Sequence, residues 1–184
     1  AKRYSELRLA ILLSSPSAFG SSHAMESIFT QEQWQQRVWR NGVTVFVCIA
    51  RPVASETAEV PELGEFDGEW VGAATVFGPV PKDDYQLVPE SGSPEAGADD
   101  EETKWQMTGL FTSPEHRGKG LAKRLIEGAK AYAGIQTPDR FRMRIIAHPE
   151  NLMVVTLYSR LGFVYVARVT GTEAFTTNGD AALI

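Results

Sequence analysis

The residues best suited to hold an anion are Pro114-Glu115-His116-Arg117-Gly118-Lys119-Gly120-Leu121-Ala122. Arg117 to Ala122 fits R-x-x-G-x-A, directly after a run that reads as a strand and directly before one that reads as an amphipathic helix. Gly118 and Gly120 have no Cβ, so a phosphate can come close to the backbone. The free N–H groups of the helix's first turn, with the positive end of the helix dipole behind them, would then face it. Arg117, Lys119, Lys123 and Arg124 add charge. Other patterns fail on their letters. A Walker loop needs glycine where Ser113 stands and Ser or Thr where Gly120 stands. The dinucleotide fingerprint needs glycine at Lys123. His148-Pro149-Glu150 imitates the H-x-E of zinc deaminases, but a chain whose only cysteine is Cys48 has no P-C-x-x-C to complete it.

The elements that must carry this loop follow from periodicity. Residues 4–13 read as a short helix with Leu7, Ala10 and Ile11 on one face, stopped by Ser14-Ser15-Pro16. Thr30-Gln31-Glu32-Gln33 is a capping box that opens a second helix, with Trp34 and Val38 turned inward, Trp39 as a further inward candidate and Asn41-Gly42 as its end. Val43–Ala50 and Glu69–Phe77 read as neighbouring strands joined by an acidic loop, the first of them buried. The stretch 80–103 carries prolines, glycines and Asp99-Asp100-Glu101-Glu102, and is expected to be a long, flexible acidic loop. Residues 105–112 form the expected strand before the glycine loop, with Gly109 inside it marking a bulge. A helix over 118–133 presents Leu121, Leu125, Ile126, Ala129 and Tyr132 to the core. A strand at 141–147, a helix at 151–161 closed by Gly162 and a strand at 163–169 follow, and 181–184 reads as the start of another strand. The order implies an α/β (α+β) sheet flanked by helices.

Composition narrows the class. The chain of 184 residues is 43% apolar, with 18 basic and 23 acidic side chains and a net charge of −5, the profile of one globular domain spanning 1–184. Its longest apolar run is far short of the roughly 20 residues a membrane span needs, and no secretory signal is legible at the N-terminus. One cysteine allows no internal disulfide and no cysteine-based zinc site, so a cytoplasmic, reducing compartment without a metal is expected. The charge is unevenly placed. Residues 55–103 hold one basic and 14 acidic side chains, whereas residues 104–168 hold 11 basic and 4 acidic. A polyanion fits the second stretch, and the first could attract a cationic amine or a basic peptide. The basic residues gather at one helix start without interleaved aromatics, which argues against a nucleic-acid partner.

A strand, then Arg117-Gly118-Lys119-Gly120-Leu121-Ala122, then a helix, followed by Asn151-x₆-Tyr158-x₃-Gly162-Phe163, resembles the acyl-CoA-binding half of the GNAT superfamily of N-acetyltransferases. The resemblance covers residues 104–168 most strongly. Glu6-Leu7-Arg8-Leu9 with Ser15-Pro16-Ser17-Ala18-Phe19-Gly20-Ser21-Ser22 is also similar to the first helix and loop of small GNAT enzymes. It implies a mixed, mostly antiparallel sheet with splayed strands and acetyl-CoA as co-substrate. Leu110, Phe111 and Thr112 would offer strand backbone to the pantetheine arm. Arg117, Gly118, Lys119, Gly120, Leu121 and Ala122 would hold the pyrophosphate, and Asn151 would bond the pantetheine. A strand N–H near Leu110 would stabilise the oxyanion and Tyr158 would protonate the departing thiolate.

By residue type alone, a tyrosine on a helix's inner face is also read as core, and Cys48 as a small buried hydrophobe. The strand position where some relatives carry glutamate falls at Gln106, which takes no proton, so the base is left among Glu101, Glu102, His116, His148 and a water chain. Arg142 and Arg144 alternate on one strand face, for salt bridges to the acidic loops or for phosphate. Trp105 reads as core or rim, with the acceptor pocket as a further possibility. The implied reaction is acetyl transfer to a primary amine of a small molecule. Its alternatives are a protein or peptide N-acetyltransferase and a non-catalytic CoA-binding module, and the chain could be a monomer or a homodimer.

Overall fold

The computed structural model describes residues 1–51, 68–136 and 140–180. Helices α1 (Lys2–Ser14), α2 (His23–Glu26) and α3 (Gln31–Trp39) precede strands β1 (Val43–Ala50) and β2 (Glu69–Phe77). After them come α4 (Lys82–Tyr85), β3 (Thr103–Thr112), α5 (Leu121–Gln136), β4 (Phe141–Ile145), α6 (Leu152–Arg160) and α7 (Gly171–Thr177). The four strands lie in the order β1-β2-β3-β4. The first two pairings are antiparallel and the last is parallel, so the sheet is mixed and mostly antiparallel, as expected.

Alternation along the strands splits the sheet into two faces. Ala74 and Val76 of β2 and Trp105 and Met107 of β3 meet Leu125, Ile126, Ala129 and Ala133 of α5 in the main core. Trp105 is therefore core, 1% exposed. Its ring and that of Phe46 meet Tyr132 edge-on, and Thr44 Oγ1 donates to Tyr132 Oη at 3.1 Å. On the other face Lys104 and Gln106 are fully buried, and Phe111 meets Phe19 of the loop after α1.

That second face is held by buried charge. Arg8 of α1 donates to Glu26 of α2 from Nε and Nη2, the closest contact being 2.7 Å, and Ser21 Oγ also donates to Glu26. Arg37 of α3 joins Glu26 at 3.8 Å and Asp180 at 2.7 Å. Burial works to raise the Glu26 carboxyl, but the Arg8 hydrogen bonds and the charges of Arg8 and Arg37 outweigh it and hold the group below the usual carboxylate range. This explains why α1 turns a charged side chain inward. Its buried residues are Arg8, Ile11 and Leu12, whereas Ala10, expected inside, is exposed.

Several sequence expectations need correction. The capping box at Thr30 forms and Trp34 is buried, but Trp39 is 67% exposed. The β1 strand is half-buried along its whole length. The first turn of the helix expected from 118 is absent, because Gly118 and Gly120 take left-handed φ of +75° and +76° and α5 begins only at Leu121. The expected strand at 163–169 is not one: it joins no strand of the sheet among the described residues, and Arg168 N–H bonds Ser91 O at 2.9 Å. α7 was not foreseen, although Thr170 and Glu173 form a complete capping box. The stretch 80–103 contains α4 and a short turn at Pro89–Ser91. Lys104 and Asp99 pair at 2.7 Å, Arg142 and Glu102 at 3.0 Å, and Lys82 and Glu95 at 2.7 Å, so several of its acids face cations. The loop between β1 and β2 and the residues 181–184 lie outside the described residues.

Removing one partner of a buried ion pair leaves an uncompensated charge, at a cost of about 3–5 kcal/mol. Glu26→Ala is expected to lower the unfolding free energy by about that amount in denaturant titration at neutral pH. The Glu26 contribution is present above the ordinary carboxylate pKa and is lost as pH falls through the lowered folded value, so the gap between wild type and variant should close in acid.

Candidate active site

The site is framed by where β3 runs on after β4 has ended. Parallel pairing runs from Thr103 opposite Phe141 to Met107 opposite Ile145 and stops there. On its other side β3 stays paired with β2 to Thr112, with a register shift between Ala73 and Thr75. Gly109, at φ +64°, sits at that shift, as a bulge residue must when only glycine accepts the left-handed conformation cheaply. Among the described residues no strand pairs with 108–112 on the β4 side. The backbone of Leu110, Phe111 and Thr112 thus presents an edge beside a slot, and an extended amide-bearing chain can bond to such an edge.

The chain then turns through Pro114–His116 into the glycine loop. Arg117 N–H closes that turn on Pro114 O at 3.2 Å, and the first helical bond of α5 runs from Arg124 N–H to Gly120 O at 3.1 Å. The N–H groups between them have the orientation of a helix start open to an anion. A Cβ built on Gly118 or Gly120 meets nothing within 4 Å, so the space over both is open. Lys119 is exposed and Leu121 and Ala122 are half-buried. The Arg117 side chain has protein partners, donating to Thr112 O at 3.2 Å and to Ser15 Oγ at 3.1 Å, with its guanidinium 5.9 Å from the Phe111 ring. It braces the loop against the first helix and its following turn. Beyond the loop, Lys123, Lys130, Arg160 and Leu161 line a cavity of 380 Å³ between α5 and α6, with Glu127 as its acid. Those cations suit the phosphate-bearing end of a nucleotide-derived cofactor.

Asn151 is the N-cap of α6, its Oδ1 accepting from Val154 N–H at 3.3 Å, which leaves its amide N–H groups for a ligand. Seven residues on, Tyr158 packs against the core and lies 5.8 Å from Phe163, ring to ring. Gly162, at φ +84°, ends the helix and lets Phe163 N–H bond Tyr158 O at 3.0 Å. Lys130 Nζ donates to Leu161 O at 3.0 Å and stands 5.5 Å from the Phe163 ring, tying α6 to α5. The Tyr158 hydroxyl has no hydrogen-bond partner among the described residues, and burial pushes its pKa well above the ordinary phenol value. It stays a neutral donor through the physiological range.

The candidate bases divide by position. Glu101 and Glu102 precede β3, about 25 Å along the strand direction from Leu110, and Glu102 is spent on Arg142 and Gly97 N–H. His116 shares a contact of 3.2 Å with Ser113 Oγ. His148 is exposed, with its Nδ1 taking Glu150 N–H at 3.4 Å. Gln106 Oε1 accepts from Arg144 Nε at 2.7 Å and its Nε2 donates to Asn178 Oδ1 at 2.9 Å, so it is fully engaged as an amide. The sequence reading missed the set of Arg144, Tyr85 and Asn178 around Gln106. Among the described residues no group of side chains could hold a metal ion, and no helix is long and apolar enough to cross a membrane.

The family model for the acetyltransferase (GNAT) domain matches residues 80–165. No curated protein matches the chain. Among solved structures, AAC(6')-Iy in complex with the bisubstrate analog CoA-S-monomethyl-acetylneamine is 18% identical with a TM-score of 0.55, over 92% of this chain and 87% of that one. The aminoglycoside antibiotic 6'-N-acetyltransferase AAC(6')-IG from Acinetobacter haemolyticus is 16% identical with a TM-score of 0.52, over 92% of this chain and 88% of that one. A Trypanosoma brucei acetyltransferase is 16% identical with a TM-score of 0.50, over 89% and 87%. At these identities the likeness is one of fold.

A methyl group on Gly120 would occupy the open space over the loop and would also strain a left-handed residue by about 1–2 kcal/mol. Gly120→Ala is expected to weaken coenzyme A binding by about tenfold or more in calorimetry, with a smaller effect on Tm. Affinity equal to wild type would remove the loop from the binding site.

Proposed function

Because residues 80–165 belong to the acetyltransferase (GNAT) family, an acyltransferase family that uses acetyl-CoA, we propose that this chain moves an acetyl group from acetyl-CoA directly to the primary amine of a small molecule. The observation that carries the reading is the edge of β3 at 108–112, unpaired on the β4 side among the described residues and followed by the open glycine loop. The donor fits this chain through its chemistry. An amide-bearing arm finds backbone donors and acceptors along Leu110, Phe111 and Thr112. A pyrophosphate finds the N–H groups of Gly118, Lys119, Gly120, Leu121 and Ala122, and the Asn151 amide lies at the start of α6.

In the transfer, the neutral amine nitrogen bonds to the acetyl carbonyl carbon while the carbonyl oxygen takes up negative charge. A β3 N–H near Leu110 donates to that oxygen. As the intermediate collapses the carbon–sulfur bond breaks, and the Tyr158 phenol gives its proton to the sulfur, leaving an amide and free coenzyme A thiol. The amine's surplus proton leaves through water, and the Tyr158 phenolate regains a proton from solvent. Gln106 takes no proton, so this reading gives β3 no base.

Tyr158→Phe is expected to lower kcat by about 100-fold or more, the scale of a lost general acid, with coenzyme A affinity little changed. Since burial keeps Tyr158 protonated beyond the ordinary phenol range, the wild-type rate should show no fall near pH 10 from its ionisation. Thiol release from acetyl-CoA across an amine panel measures both. Coenzyme A binding without turnover of any amine would overturn the assignment.

A further inference from the structure

One half-buried guanidinium, beside the point where β3 and β4 part, has no anion among the described residues. Arg144 of β4 stands opposite Gln106 of β3 in register, one rung before the two strands part. Its Nε donates to Gln106 Oε1 at 2.7 Å, its Nη1 donates to Tyr85 O at 2.5 Å, and the group lies 4.0 Å over the Tyr85 ring. Nη2 donates to nothing among the described residues, and no described carboxylate lies within ion-pair distance. Other arginines at least partly withdrawn from water do have such a partner. Arg8 meets Glu26, Arg37 meets Asp180, and Arg142, on the same face of β4, meets Glu102. Arg144 is half-buried, and its Nη2 is not among the buried atoms left without a partner, so that nitrogen reaches water and is open to a ligand. Burial accordingly lowers the Arg144 pKa from its ordinary value.

The surroundings fix the group instead of neutralising it. Gln106 is itself held by Asn178 at 2.9 Å, and Asn178 follows α7, whose Phe175 ring covers Gly20. Gln106 and Tyr85 thus fix two of the guanidinium nitrogens and leave Nη2 unpaired among the described residues, free for a charge-assisted hydrogen bond to an oxyanion. Gln106 precedes Leu110 by four residues, about 13 Å along the strand, so a group bound at Arg144 and an amine at the thioester can belong to one small molecule.

We propose that Arg144 receives a carboxylate of the acceptor, so that the substrate is an amine that also carries a carboxylate, the two separated by several bonds. This rests on the acetyl-transfer reading above. A polycationic amine would meet the uncompensated charge of Arg144 and be disfavoured.

The test measures thiol release from acetyl-CoA with 6-aminohexanoate, 8-aminooctanoate and triglycine, with the carboxamide of each, and with neamine as a polycationic amine. Each acid is expected to exceed its amide in kcat/KM by about tenfold to 100-fold, mainly through KM. Arg144→Gln should bring that ratio close to one, and Arg144→Lys should keep part of it. As a check that needs no variant, octanoate should inhibit wild type competitively against 8-aminooctanoate while octanamide should not. Amides used as well as acids, neamine preferred over all, or a ratio that survives Arg144→Gln would each overturn the proposal while leaving acetyl transfer standing. Coenzyme A binding with no amine acetylated would remove the activity and this inference together.

Discussion

The parting of β3 from β4 is the constraint on which the rest depends. A parallel pair normally continues until one strand turns away, and here β4 ends at Ile145 while β3 runs on to Thr112. β3 can remain a strand because β2 still holds its other side, and Gly109 provides the backbone twist at that point. Unpaired strand edges are usually covered or kept short, since a bare row of N–H and C=O groups invites another chain. Among the described residues the edge at 108–112 stays open beside a glycine loop, and that opening is what the proposed pairing with a ligand rests on.

Two supports keep that edge in position. On one face, α5 buries Leu125, Ile126, Ala129 and Ala133 against β2 and β3, so the helix that follows the glycine loop is anchored by its apolar stripe. On the other, a relay of contacts runs outward from buried charge. Glu26 holds Arg8, Arg8 lies 4.3 Å over Phe19, Phe19 meets Phe111, and Arg117 stacks near Phe111 while reaching Ser15. Each aromatic or cation–π contact is worth only about 0.5–2 kcal/mol. Because they are in series, the first helix and the glycine loop are located relative to one another.

Much of this was legible from residues. R-G-K-G-L-A between a strand and a helix, the bulge glycine and the Thr30 capping box are local signals, decided by backbone chemistry that a short window contains. What failed was non-local. The alternating valines of 163–169 fit a strand, but a strand exists only against a neighbour, and none is described there. Arg8 sits inside α1 because Glu26, 18 residues away, draws it in, so the apolar face read from periodicity alone was rotated. The α7 capping box was as plain as that at Thr30 but lay in a run of threonine and glycine that reads as tail. The 80–103 stretch reads as a flexible loop from its prolines, glycines and acids. The cations that meet them, Lys104 and Arg142, lie on strands whose pairing had to be known first.

The Gln106 amide follows from the same logic. A carboxylate in its place would lie against the Arg144 guanidinium and pair with it, cancelling the charge and filling the nitrogen that the amide leaves open. Glutamine bonds the same Nε through its oxygen, takes Asn178 through its nitrogen, and leaves the positive charge unspent. If Arg144 receives the acceptor's carboxylate, as proposed, the amide is what keeps that position for the ligand, since a protein carboxylate there would hold the guanidinium first.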